Sequence, residues 1–380
     1  MVGPHYKTVL KRCGCGARKR DIVKNLSRYD VVPGVRKIAV VRANAIGDFI
    51  FSLPALEALR AAYPEAEIVL LAKEWHACFL HERPGPIDRV VVVPPYGGVS
   101  ENPGYPEDAA ELEAFFSAMR REHFAIAIQM HGGGRYSNPF TLRLGATLTI
   151  GTKTPDAVAP DRWMPYVYWQ HEILRHLELV SLVGASPVML EPELAVTGRD
   201  LNEALAAVPE SDKPLVALHP GAGDPRRRWS PEKFAAVGDV LTRRGARVVV
   251  VGTRDEQDID DAVVSSMKTE AQNLCGRLSL GGLVGLLSRC RVVISNDSGP
   301  LHLARAVGVA TVGLYWCFNL VNAGPITRTR HRSAHSWRLE CPVCGLNCMY
   351  HNCGHHVPFI DDIPTGEVIS AALDLFCDQP

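Results

Sequence analysis

The chain carries no net charge: 41 Lys and Arg balance 41 Asp and Glu across 380 residues. Whole-chain charge thus gives no argument for nucleic acid or an acidic substrate as partner. No run of about 18 apolar residues occurs, so no stretch reads as a membrane-spanning helix. The N-terminus lacks the apolar core of a signal peptide, and the expected location is the cytoplasm. Eleven cysteines in that compartment do not read as a disulfide framework, and a local cluster among them points to metal. With 47% apolar and 22% charged residues the chain reads as globular, and its length suits two domains better than one.

Residues 1–35 stand apart. Lys7, Lys11, Arg12, Arg18, Lys19, Arg20, Lys24 and Arg28 face only two acids, Asp21 and Asp30. This is a solvated basic tail, or a patch for anionic headgroups at the inner face of a membrane or for a partner. Cys13 and Cys15 are too close for a chelating pair.

From Val35 onward short apolar strands alternate with amphipathic helices. "KIAVV", "AEIVLLAK", "DRVVVVP" and "FAIAIQM" are separated by "SLPALEALRAAYP", the segment around "WHACFLHE" and "DAAELEAFFSAMRREH". Such a pattern predicts an α/β fold with a parallel sheet covered on both faces. It fades over 150–185, passes a linker-like "ASPVMLEPELAVTGRD", and restarts at "KPLVALHPGAG". The expected units are an N-terminal domain at 36–188, a C-terminal one at 189–335, a Cys-rich segment at 336–358 and a terminal helix at 359–380. Between two such sheets lies a cleft at the carboxyl ends of their strands, where open α/β sheets bind ligands.

Several residues at those ends carry chemistry. "VVISNDSGPLHLARAVG" predicts a helix opening near Ser298 or Gly299, whose unpaired amides suit a phosphate. Asp297 is there either the N-cap or a ligand to a sugar hydroxyl. "HPGAGDPRRRW" supplies Gly221 and three arginines, Arg226, Arg227 and Arg228; one or two of them suit a diphosphate, since three in a row cannot face one way. Glu256, in "VGTRDEQD", is placed to accept from ribose hydroxyls. Asp48 follows Gly47 at the bend between "KIAVV" and the next helix, and is either an N-cap or a base. "QMHGGGRYSNPF" ends a strand in three glycines and offers His131, Arg135 and Asn138 as acceptor-side groups.

Taken in order, "VRANAIGDFIFSLPALEALR", "HPGAGDPRRRW", "VGTRDEQD" and "SNDSGPLHLARAVGVATVGLYW" resemble glycosyltransferase family 9, the ADP-heptose:lipopolysaccharide heptosyltransferases, over roughly residues 36–377. The resemblance implies a GT-B architecture of two Rossmann-like domains, with donor held by the second and acceptor by the first. It implies that Asp48 is the catalytic acid of the "GD" motif, that Glu256 holds the ribose, and that Asp297, Ser298, Gly299 and His302 bind donor. Arg227 stands where the family often has Lys. An inverting transfer of heptose from ADP-heptose, to a lipopolysaccharide core or to a protein, then needs no catalytic divalent cation.

"CPVCGLNCMYHNCGHH" gathers Cys341, Cys344, Cys348 and Cys353, enough thiolates for a tetrahedral zinc, or iron, in a structural role. The resemblance implies that in some members with protein acceptors a similar segment holds iron, which lends the protein acceptor some weight. The alternatives are a UDP-sugar 2-epimerase of the same architecture and a nucleotide-sugar-binding protein without catalysis.

Overall fold

The computed structural model describes residues 29–349, 351 and 353–377. Most of the basic tail, with Cys13 and Cys15, lies outside the described residues. The first half runs β1 (Lys37–Val41), α1 (Ile46–Ala62), β2 (Glu67–Ala72), α2 (Glu74–Leu80), β3 (Arg89–Val92), α3 (Ala109–Arg121), β4 (Ile126–Gln129), α4 (Ser137–Leu142), β5 (Leu148–Lys153), β6 (Arg162–Pro165) and α5 (Glu172–Ser181). Its six strands are all parallel, in the order β3-β2-β1-β4-β5-β6.

The second half runs α6 (Gly198–Ala207), β7 (Leu215–His219), α7 (Pro231–Arg243), β8 (Arg247–Val250), α8 (Gln257–Ser266), β9 (Ala271–Asn273), α9 (Leu280–Ser288), β10 (Cys290–Asn296), α10 (Gly299–Ala306), β11 (Ala310–Trp316), α11 (Cys317–Ala323), β12 (His331–Ser336) and α12 (Thr365–Cys377). Its sheet is again six parallel strands, ordered β12-β11-β10-β7-β8-β9. Read from β7, that is the first sheet's order repeated. Both are the doubly wound Rossmann order, and each reverses direction beside its first strand, at β1/β4 and β7/β10.

The central strands are buried on both faces. Ile38 and Val40 join one apolar cluster, while Ala39 and Val41 join another on the opposite side. The first cluster does not stop at the N-terminal sheet. It continues through Phe49, Leu56 and Leu177 into Leu286, Val293 and Leu303 of the second half. The two sheets therefore share apolar packing, chiefly where α1 meets α10.

Polar contacts also join the halves. His171 Nε2 lies 2.8 Å from the Gly324 carbonyl, and Asn322 donates to the Tyr168 carbonyl at 3.1 Å. On the other side, Arg83 forms a two-pronged pair with Asp200 at 2.7 and 3.0 Å, both side chains fully buried. Asp200 also closes a capping box with Thr197 at the start of α6. Burial opposes its ionisation, but hydrogen bonds from Arg83 and Thr197 outweigh that and hold its carboxyl below the ordinary range. A buried carboxylate stripped of its cation is costly. Arg83→Met is expected to lower unfolding free energy by about 3–5 kcal/mol in urea titrations, and adding Asp200→Asn should recover part of that loss. Equal stability of wild type and Arg83→Met would contradict the assignment.

Candidate active site

The strand ends at the two reversal points, together with the end of β8, supply the site. Asp48 extends from the first turn of α1, just beyond β1. That helix opens at Ile46, with Ala45 as N-cap. It starts earlier than a helix opening near Ile50 or Phe51, so Asp48 is inside the first turn and is not the N-cap. Gly47 does not adopt a left-handed conformation. Its smallness serves close approach instead: a Cβ there would lie 3.0 Å from His302 Cδ2. The partner surface is just as tight. A Cβ on Gly299 would lie 2.4 Å from the Ile46 side chain. The first turn of α1 and the first turn of α10 thus meet nearly backbone to backbone. The Asp48 side chain is 39% exposed at that seam.

On the far side, α10 begins with Ser298 at the N-cap position and Pro300 in the first turn. The helix dipole and the opening amides, to which Pro300 contributes none, favour an anion there. Ser298 Oγ donates to the Asn296 carbonyl at 3.0 Å and lies 3.1 Å from His219 Nδ1. Asp297 is buried and is not a helix cap. Its Oδ2 accepts from Arg227 at 3.0 Å, and its Oδ1 lies 3.2 Å from His302 Nε2. Burial raises its carboxyl, but His302 and Arg227 pull it below the usual range. His302 itself is lowered by burial, against the pull of Asp297 and, more weakly, of Asp48.

The three arginines fan apart, as their adjacency requires. Arg226 pairs with Asp224 and lies over Trp316; Arg227 reaches Asp297; Arg228 Nε donates to the Ala222 carbonyl at 2.9 Å. Of the three, Arg227 reaches Asp297, next to the start of α10, while Arg228 is tied to its own loop.

Beside Ser298 and Gly299 lies a cavity of about 480 Å³, lined mostly by the second half, with His219, Ala222, Arg254 and Glu256 among its residues, and by Ile46 from the first. Its size suits a nucleotide. Glu256 is held by Thr253, whose N–H and hydroxyl both donate to Oε2, with His219 Nε2 3.6 Å away. Burial works against its ionisation; the bond and charge of His219 prevail, with Thr253, and bring it down to about 2. Gly221 makes room for it, since a Cβ there would lie 1.9 Å from Glu256 Oε1. His219 is the group the sequence reading passed over. It is fully enclosed at the end of β7 and links Glu256 to Ser298. The His-Pro-Gly run after an apolar strand was the available signal.

The acceptor-side loop is only partly as expected. His131 sits beside the end of β1, its Nδ1 accepting from the Ala43 N–H at 3.4 Å. Arg135 is on the surface, near Asp156 and the Tyr136 ring. Asn138 is fully buried and donates to the Thr152 and Val158 carbonyls, so it shapes the loop and does not reach the cleft. Gln129 performs a similar task, bonding the His131 carbonyl and Ser137.

In the Cys-rich segment the donor atoms of Cys341, Cys344, Cys353 and His355 all lie within 4.8 Å of one another. His355 takes the fourth place expected of Cys348, whose sulfur lies 3.8 Å from that of Cys353 but outside the group. The turn at Gly345, with its φ of 72°, carries Cys348 back along the opposite limb, where its N–H donates to Leu339. Three sulfurs and one imidazole fit tetrahedral zinc or iron. Burial raises the Cys341 thiol, but amides of Cys344 and Val343 bring it down to about 6, which favours the metal-binding thiolate. Downstream, residues 359–363 grip the arginine loop. Phe359 N–H donates to the Arg226 carbonyl at 2.8 Å, Trp229 Nε1 to the Ile363 carbonyl at 3.1 Å, and Ser230 N–H to Asp361 at 3.0 Å.

Residues 112–343 match the family described as glycosyltransferase family 9 (heptosyltransferase). Lipopolysaccharide heptosyltransferase 2 of Escherichia coli K12 is 24% identical over 294 residues, covering 73% of this chain and 82% of that protein. Among solved structures, the family 9 glycosyl transferase of Veillonella parvula superposes with a TM-score of 0.74 at 21% identity, over 93% of this chain and all of that one. The dodecameric, iron-containing heptosyltransferase TibC of enterotoxigenic E. coli, solved with ADP-D-β-D-heptose, gives a TM-score of 0.52 at 13% identity, over 91% and 77% of the two chains. The structural likenesses concern the fold, two Rossmann-like domains in the GT-B arrangement. With the match spanning most of the chain, from α3 through the arginine loop and α10 to the first cysteines, the protein belongs to glycosyltransferase family 9.

Proposed function

We propose that this glycosyltransferase moves heptose from ADP-heptose to a hydroxyl of a lipopolysaccharide core, inverting the anomeric centre. The observation that carries the reading is the seam at Gly47 and Gly299, which brings Asp48 to the start of α10 beside a nucleotide-sized cavity. Family membership sets aside the epimerase reading, and the relatives named for lipopolysaccharide support the acceptor.

In this reading Glu256 accepts from the ribose hydroxyls. The diphosphate rests on the opening of α10, with Arg227 and Arg228 alongside. Asp48 takes the proton of the acceptor hydroxyl as its oxygen bonds to the anomeric carbon. The bond from that carbon to the diphosphate oxygen breaks, and the electron pair leaves with ADP. The helix opening and the arginines stabilise the charge that develops there. His131 faces the acceptor. No residue of the site is assigned to a catalytic cation. The enzyme works in the cytoplasm, where it meets a membrane-borne core at the inner face of the membrane. Among the described residues no helix is long and apolar enough to cross a membrane.

The Cys341, Cys344, Cys353 and His355 group holds a structural zinc or iron. When bound, the metal supplies four cross-links within the segment that precedes the grip on the arginine loop. The cysteine cluster also supports a second acceptor, a protein side chain. Presenting heptose-deficient core lipid and a candidate protein in parallel separates the two.

Asp48→Asn is expected to remove turnover, by at least about 100-fold, and to leave ADP affinity intact. Glu256→Gln is expected to weaken ADP binding by roughly 10- to 100-fold, the worth of hydrogen bonds to a charged acceptor. Calorimetric titration and steady-state assays with ADP-heptose read both, and undiminished turnover in Asp48→Asn would sink the base assignment. For the metal, elemental analysis is expected to give one zinc or iron per chain. Chelation should lower the melting temperature and weaken ADP binding together. A metal-free preparation with the same melting temperature would contradict this site.

A further inference from the structure

We infer that Arg42 is the residue that positions Asp48 for proton transfer. The inference rests on the reading of Asp48 as the base.

Arg42 is the first residue after β1, and it is 2% exposed. Burying a guanidinium is expensive unless its donors are matched. Here the match is specific. Nε and Nη2 both donate to the Asp48 carbonyl, at 3.0 and 2.6 Å, while Nη1 donates to the Met130 carbonyl beyond β4. Nη2 also lies 3.5 Å from Asp48 Oδ1. One planar fork therefore ties the first turn of α1 to both strands of the reversal point, and fixes the height and direction from which the carboxylate enters the cleft. A lysine has the charge but not the fork, and cannot hold two carbonyls in fixed directions.

The surroundings suit this task. His131, His76 and His176 all feel the Arg42 charge. Burial, with that charge adding to it, pushes His131 and His76 down to about 3 and His176 well below its ordinary value. Glu172 stands on the far side of His176, 3.6 Å away, and Lys73 adds its charge near His131 and His76. These imidazoles remain neutral and are poorer bases than a carboxylate. The proton of an incoming hydroxyl is left to Asp48, and Arg42 decides where Asp48 stands.

The test compares Arg42→Met, Arg42→Lys, Asp48→Asn and the Arg42→Met/Asp48→Asn double variant for kcat, donor KM and ADP affinity. Arg42→Met is expected to lower kcat by about 100-fold, the usual penalty for misplacing a reacting group by about an ångström, with ADP affinity within about twofold of wild type. Arg42→Lys should fall between it and wild type. The double variant should be no slower than Asp48→Asn alone, because Arg42 acts through that carboxylate. Intact ADP affinity shows that the variants are folded. Should Arg42→Met not fold, Arg42→Lys carries the test. A kcat for Arg42→Lys equal to wild type, for Arg42→Met within about threefold of wild type, or a loss that multiplies in the double variant, overturns the proposal. Retained turnover in Asp48→Asn alone instead overturns the base assignment and leaves the Arg42 measurement legible as a separate result.

Discussion

The approach of two backbones at Gly47 and Gly299 is the constraint on which the site depends. Neither position has room for a side chain. Because both first turns lose that layer of atoms, a carboxylate from one domain and a helix opening from the other can share a single ligand. The apolar cluster running from α1 into α10 keeps the surfaces together. Phe51 reinforces the seam by packing on His302, with ring centroids 4.5 Å apart. His302 in turn touches Asp297, which holds Arg227. The chain of contacts from α1 to the arginine loop is thus continuous, and charge at one end is set in place by packing at the other.

A second support comes from behind. The arginine loop is short, and its own 3₁₀ turn covers only Pro225–Arg227. Such a loop would not hold guanidinium groups at fixed points. Residues 359–363 supply what it lacks, through the Phe359, Ile363 and Asp361 contacts, and the buried Trp229 fastens it to the core of the second sheet. Cys341 and Cys353 belong to that same core. Metal in the Cys-rich segment, as proposed, would brace the donor side without touching the donor.

Much of this was legible in the sequence, and the exceptions share a cause. Central strands such as β1 and β10 announce themselves because both faces are buried, which gives them unbroken apolar runs, Ile38–Val41 and Val292–Ile294. The strands passed over were β5, β6, β12 and the three-residue edge strand β9 (Ala-Gln-Asn). β6 (Arg-Trp-Met-Pro) and β12 (His-Arg-Ser-Ala-His-Ser) are edge strands with one neighbour each, and β5 carries Thr, Gly and Lys. Edges need less apolar surface, so their pattern fades. In the site, Asp48, Glu256 and Ser298–Gly299 could be located from local signals, because each follows a strand and opens a turn or helix. Asn138 and His355 could not be assigned, since their partners are 14 or more residues away for one and a folded turn for the other. His219 and Arg42 lay within quoted motifs, yet their roles come from groups brought together by folding, Glu256 and Ser298 for one, Asp48 and Met130 for the other. Spacing along the chain does not reveal those.

The most direct test is a structure with an unreactive ADP-heptose analogue bound. The account predicts the diphosphate on the opening amides of α10 and the anomeric carbon within about 6 Å of the Asp48 carboxylate, the sum of one hydrogen bond and one near-attack distance. A diphosphate bound elsewhere, or an anomeric carbon more than about 10 Å from Asp48 with the domains closed, would contradict it.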